Sequence, residues 1–158
     1  MAERQPSSRA CFLCGRDNPV GLKMVWENHP EEGEIRCTVT VEEHFNGYPG
    51  VVHGGILAAM LDETAGRAIL LEGGPDDLMV TVKMEVTYRR PTPTGTPLLV
   101  VGRVVSRSER RAETKAEIRL PDGTVSARAT VWLARPPKEI LADWEAERPY
   151  FRVDEPGC

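Results

Sequence analysis

The stretch Gly50-Val51-Val52-His53-Gly54-Gly55-Ile56-Leu57-Ala58-Ala59-Met60-Leu61-Asp62-Glu63 carries the change of pattern that decides the fold. Up to Gly55 it is rich in glycine and reads as loop. From Gly54 to Leu71 the chain turns into a run of good helix formers, too long for an ordinary strand. Its apolar residues fall on nearly every side, so the spacing predicts a helix buried almost all round. Gly73-Gly74-Pro75 ends it.

On both sides of this helix the period is two. Before it, Ile35, Cys37, Val39 and Val41 alternate with polar residues over Glu34–Val41, and Leu22–Trp26 is a candidate short strand. Asn28–Gly33 reads as a turn and Asn46–Val52 as a loop. After the helix come four strand patterns. Val80 to Tyr88 alternates, Leu98 to Val105 is continuously apolar, and Ala112 to Leu120 and Val125 to Leu133 alternate again. The turn Pro121-Asp122-Gly123 and the short connections favour antiparallel neighbours. One helix among five or six antiparallel strands is an α+β arrangement, in which a single curved sheet wraps the helix. Residues 1–9 are polar and read as a disordered tail, residues 10–136 as one domain. Residues 137–158 read as an extension in which Ile140, Leu141 and Trp144 mark a short amphipathic helix.

Composition narrows the function classes. With 158 residues a doubly wound cofactor domain plus a substrate domain will not fit. Lys and Arg total 20 against 24 Asp and Glu, a net charge of -4, which argues against nonspecific nucleic-acid binding. The start Met1-Ala2-Glu3-Arg4-Gln5-Pro6 lacks a signal-peptide core, and no apolar run reaches a membrane span. Cys11 and Cys14 form one CxxC, so an all-Cys zinc site cannot close in one chain. Together with Cys37 and Cys158 they read as structural thiols of a reducing cytoplasm, and no metal is expected.

Three charged residues sit in the helix: Asp62, Glu63 and Arg67. Glu63 and Arg67 have the spacing of a helix-face ion pair and read as solvated or interfacial. Asp62 has only small neighbours, Ala58, Ala59, Ala65 and Gly66, and no charge partner among them. A buried carboxylate without a partner costs several kcal/mol, so Asp62 is a candidate reactive group. At the helix start, Gly54 and Gly55 can bring backbone N–H groups close to a ligand oxygen, where the helix dipole favours negative charge. That suits acyl transfer through an oxyanion. Asp62 lies eight residues beyond Gly54, or about 12 Å along a helix. One carbonyl cannot touch both, so cooperation between them requires a second subunit, as in a twofold dimer with antiparallel helices.

The quoted stretch resembles the hotdog-fold thioesterases, and within them the phenylacetate-pathway (PaaI-like) and THEM-type acyl-CoA thioesterases related to 4-hydroxybenzoyl-CoA thioesterase. Cys11-Phe12-Leu13-Cys14-Gly15 with Asn18-Pro19 and Gly21-Leu22 is similar to the N-terminal signature of one subgroup. Thr81–Pro91 matches the family's next strand, and the resemblance runs from Cys11 to Ala134. It implies a hotdog fold and hydrolysis of an acyl-CoA thioester without a cofactor, by a homodimer or a dimer of dimers. It implies Asp62 as nucleophile or as general base on water, Gly54 N–H as oxyanion donor and His53 shaping that loop. It also implies Thr81 near the attacking water. Asn46 is the candidate for the Asn or Gln that the family carries before the HGG loop, although the loop is one residue longer here.

Coenzyme A is polyanionic, so a local basic patch is expected. Arg89 and Arg90 at a strand end, with Arg107, Arg110 and Arg111 around a hairpin, are the candidates. Tyr48, Trp26 and Met60 are candidates for the acyl pocket. Two other readings stay open: a non-catalytic acyl-CoA or fatty-acyl binding module, and a hydratase or dehydratase on the same fold.

Overall fold

A computed structural model describes residues 2–154. In chain order the elements are β1 (Glu3–Arg4), β2 (Glu27–His29), β3 (Glu34–Thr40), β4 (Asn46–Tyr48), β5 (Val51–Val52), α1 (Gly54–Ala68), α2 (Leu70–Gly73), β6 (Val80–Tyr88), β7 (Pro97–Arg107), β8 (Arg111–Arg119), β9 (Val125–Ala134) and α3 (Lys138–Glu147). Seven strands form one sheet in the order β1-β2-β3-β7-β8-β9-β6. Every pairing is antiparallel. The sheet packs against α1, the hotdog arrangement that the sequence implies.

The helix approaches the sheet closely because Gly102 of β7 leaves room for it. A Cβ there would stand 2.7 Å from the Thr64 carbonyl oxygen. Leu57, Met60, Leu61, Thr64, Ala65 and Ala68 are buried against the sheet. Ile35, Val100, Ile118, Ala127 and Val131 answer them from the strands. The helix is not buried all round, however. Ala58, Ala59, Asp62 and Gly66 are only partly covered and share one face. Edge strand β6 exposes Val82 and Tyr88.

Several boundaries differ from the sequence reading. Residues 3–8 are not a free tail. β1 pairs with β2, Gln5 and Ser7 are buried, and Ser7 bridges Arg152. Leu22–Trp26 is not a strand, because Lys23 adopts a left-handed φ of 56° and its ammonium is held by the carbonyls of Gly15 and Arg16. The chain enters a strand only at Glu27. The loop Asn46–Val52 contains the two-stranded ribbon β4-β5, turned at Gly50 with φ 77°. The expected C-terminal helix is α3; Cys158 lies outside the described residues. No described helix is long and apolar enough to cross a membrane.

Candidate active site

The start of α1 is built by His53. Its Nδ1 accepts the Gly55 N–H at 2.9 Å, and its carbonyl accepts Ile56 N–H and Leu57 N–H. Gly55 therefore does not offer a free donor. Gly54 N–H has no partner among the described residues, so of the two glycines Gly54 keeps its donor for a ligand. Tyr88 donates its hydroxyl to the Gly54 carbonyl at 2.7 Å, and its ring lies 3.6 Å from where a Gly54 Cβ would be. Tyr88 reads in sequence only as one more strand residue. A phenol at the strand end facing the HGG turn is the signal that could have found it.

Asn46 pairs with Val52 across the β4-β5 ribbon, and Gly47 backs onto His53, where a Cβ on Gly47 would stand 3.3 Å from the His53 Cα. The fold thus brings Asn46 beside the HGG turn, but its side chain makes no hydrogen bond among the described residues. Arg89 and Arg90 are exposed and border the same groove as Gly54 and Tyr88, a space of about 290 Å³. Their backbone N–H groups both reach the Ser126 carbonyl.

Arg110 and Arg111 are at the other end of the sheet. Arg111 is level with Ala134, which is level with Val80, whereas Tyr88 is level with Ala127. Eight residues of strand, about 26 Å, separate the two arginine pairs within one chain. The arginines therefore do not form one patch. Arg107 is structural: its Nη2 donates to Asp77 at 2.7 Å, and Arg135 binds the other Asp77 oxygen. Burial alone would raise the Asp77 carboxyl, but the hydrogen bonds from Arg135 and Arg107 outweigh it and hold it below its ordinary range.

Asp62 has a partner that the helix spacing cannot reveal. Thr81 Oγ1 donates to Asp62 Oδ1 at 2.7 Å. A register shift in β6 between Thr81 and Lys83 accompanies this turn of the threonine toward the helix. Both residues border a cavity of about 430 Å³ whose apolar wall includes Leu70, Val80, Leu133, Trp144 and Phe151. Trp26 and Met60 are ordinary core, and Tyr48 is 79% exposed; none of the three lines this cavity.

Glu63 and Arg67 depart furthest from expectation. Arg67 is 5% exposed and is not solvated. Its guanidinium holds Glu63 at 2.9 Å, the Pro6 carbonyl at 2.8 Å and Cys14 Sγ at 3.0 Å, and lies 4.4 Å over the Trp26 ring. Burial pushes the Glu63 carboxyl up, against the pull of Arg67. The polar partners of Arg67 outside the helix come from residues 5–14, and Trp26 and Phe151 flank its guanidinium. In sequence these segments read as a tail, a loop, a short strand and an extension, so only the three-dimensional fold reveals the cluster.

The comparisons with known proteins fall on these same elements. The family model described as Thioesterase superfamily matches residues 49–127, which carry the HGG turn, α1, β6, β7 and β8. "Acyl-coenzyme A thioesterase THEM4" of Rattus norvegicus is 30% identical over 91 residues, 58% of this chain and 38% of that protein. "Acyl-coenzyme A thioesterase 13" of Homo sapiens is 28% identical over 88 residues, 54% of this chain and 61% of that protein. The chain thus spans less than two thirds of the length of these relatives. A crystal structure of a thioesterase superfamily protein is similar with a TM-score of 0.72 and 31% identity, over 80% of this chain and 63% of that one. The wrapped helix, the strand order and the matched half of the sequence agree, and the chain belongs to the thioesterase superfamily.

Proposed function

We propose that the protein hydrolyses an acyl-CoA thioester to a free acid and coenzyme A. The observation that carries this reading is the contrast within one helix turn. Glu63 is tied to a buried arginine, while Asp62 keeps only a threonine hydroxyl and borders an apolar cavity. A carboxylate in that position can take a proton from water or attack a carbonyl itself. Gly54 N–H, at the positive end of the helix dipole, stabilises the oxyanion as the carbonyl becomes tetrahedral. The thiolate of coenzyme A then leaves and takes a proton. Where Asp62 itself has attacked, water then cleaves the acyl–Asp62 anhydride, freeing the acid and restoring the carboxylate. Arg89 and Arg90 beside Gly54 suit the phosphates of the coenzyme.

Gly54 and Asp62 of one helix are about 12 Å apart, so each site takes the two groups from different subunits. Two features support a partner on this side. The small face Ala58, Ala59, Asp62 and Gly66 is partly open, and the nine-residue edge strand β6 shows apolar side chains. The test is coenzyme A release from a panel of aromatic, short-chain and medium-chain acyl-CoAs. The wild type turns over at least one class, and Asp62→Asn does not. Turnover undiminished in Asp62→Asn would refute the assignment. Binding without any turnover by the wild type would instead identify a non-catalytic acyl-CoA binding module.

A further inference from the structure

The N-terminal CxxC precedes the residues 49–127 that the family model matches, and the proposed hydrolysis makes no use of it. Its geometry is nonetheless highly specified. The Gly15 N–H closes a helical turn on the Cys11 carbonyl at 2.7 Å. A Cβ at Gly15 would stand 2.3 Å from that same oxygen, so only glycine closes the turn. The turn brings both sulfurs and a Glu63 oxygen within 4.8 Å of one another. Residues three apart in a helical turn have the Cα separation that a disulfide requires.

The two sulfurs differ sharply. Cys14 Sγ accepts from Arg67 Nη2 at 3.0 Å and from Ser8 N–H at 3.4 Å, with Ser8 Oγ also at 3.4 Å. Arg67 is stacked on Trp26 and is held in place. The neighbouring Cys11 thiol, its sulfur within 4.8 Å, and the Arg67 charge outweigh burial and bring the Cys14 thiol down to about 5. The proximity of Cys14, together with burial and the Glu63 charge, pushes the Cys11 thiol up. The Arg67 contact thus favours the thiolate at Cys14, while Cys11, without a cation against it, keeps its proton. Both border the cavity of about 430 Å³, which is ample for a small oxidant. Cys37 does not border it, and burial raises its thiol to about 11.

We infer that Cys14 and Cys11 form a peroxide-reactive thiol–disulfide site, with Cys14 as the attacking sulfur and Cys11 as the resolving one. The Cys14 thiolate attacks the outer oxygen of a hydroperoxide, the O–O bond breaks, and the leaving alkoxide or hydroxide takes a proton from water. Cys14 is then a sulfenic acid. The Cys11 sulfur attacks it, and water leaves carrying the Cys11 proton. Two thiol electrons have reduced one peroxide bond, and a dithiol restores the pair. A metal ion is the competing use of the same sulfurs and Glu63. Arg67 disfavours it, because the guanidinium already contacts both Cys14 and Glu63. The site stands independently of the thioester reading, since its test reads sulfur and not turnover.

The experiment exposes the reduced full chain briefly to hydrogen peroxide, followed by alkylation and peptide mass mapping. The expected product has Cys11 and Cys14 joined, reversible by dithiothreitol, with Cys37 still reduced. Cys11→Ser is expected to stop at the Cys14 sulfenic acid and to trap dimedone, whereas the wild type does not. Before oxidation, Cys14 is expected to alkylate at pH 6 at least about tenfold faster than Cys37. Three results would each overturn the inference. They are Cys11 and Cys14 unoxidised, a wild-type Cys14 oxidised without a disulfide, or a purified chain carrying one zinc that shields both sulfurs.

Discussion

The two ends of α1 are built on opposite principles. At its start, Gly54 offers an N–H without a partner among the described residues, and Tyr88, Arg89 and Arg90 stand exposed around an open groove. Toward its end, Arg67 is buried under residues 5–26 and cross-tied to Pro6, Cys14 and Glu63. Asp62 sits at the boundary, one residue from the tied region and yet bonded only to Thr81. The difference separates polar groups that are left for a ligand from polar groups that are spent on the fold. Groups of the first kind should change turnover when altered, and groups of the second kind should change stability.

The largest effect falls on Asp62. Asp62→Asn keeps the shape and the Thr81 contact but removes the charge, and should lower kcat/KM for the best acyl-CoA by about 10²–10⁴-fold. Its melting temperature should stay close to wild type, and a large loss of stability would place Asp62 with the structural groups. Next comes Gly54→Pro, which deletes one N–H and adds a ring whose Cβ meets Tyr88 at an ordinary contact distance of 3.6 Å. Position 54 is the first residue of α1, where proline is tolerated. The preceding His53 has ψ 135°, compatible with a following proline. Steady-state kinetics should show kcat down by about 10²–10³ with the fold intact.

The tied region answers in stability. Asp77→Asn weakens the clasp of Arg107 and Arg135 at the far end of α1 and should cost about 2 kcal/mol in denaturant unfolding. The folded Asp77 carboxyl lies below its ordinary value, so its contribution is present at neutral pH and is lost as pH falls through the depressed value. The gap between wild type and Asp77→Asn should therefore hold at neutral pH and close below about pH 4. The smallest effect separates the two arginine pairs. Replacing Arg89 and Arg90 by Ala should raise KM several-fold, about 1 kcal/mol, and more so at low salt. The same change at Arg110 and Arg111 should raise it less. If both pairs raise KM equally, the groove at Gly54 is not a privileged place for phosphate within the chain.

The sheet and helix are legible in the sequence because their periods are local. Val80–Tyr88 alternates, Gly54–Ala68 does not, and the turns between strands carry their own residues. The candidate site is half legible for the same reason. His53, Gly54 and Asp62 lie on one helix and its cap, where spacing alone fixes their separation. Thr81 reaches Asp62 only through a local register shift in β6, and no residue pattern announces that shift. The first 26 residues are the hardest to place, because β1 pairs with β2 across more than twenty residues and Arg67 gathers partners some sixty positions away. Polar side chains that satisfy a buried guanidinium look, in sequence, like any polar tail.

The proposed hydrolysis requires that each site join Gly54 of one subunit to Asp62 of the other. The direct measurement is complementation between Gly54→Pro and Asp62→Asn, each nearly inactive alone. In a mixed dimer one site carries both defects and the other carries neither. With subunit exchange verified by native mass spectrometry, random mixing should restore about one quarter of wild-type coenzyme A release. Exchange without any recovery of activity would contradict the shared site.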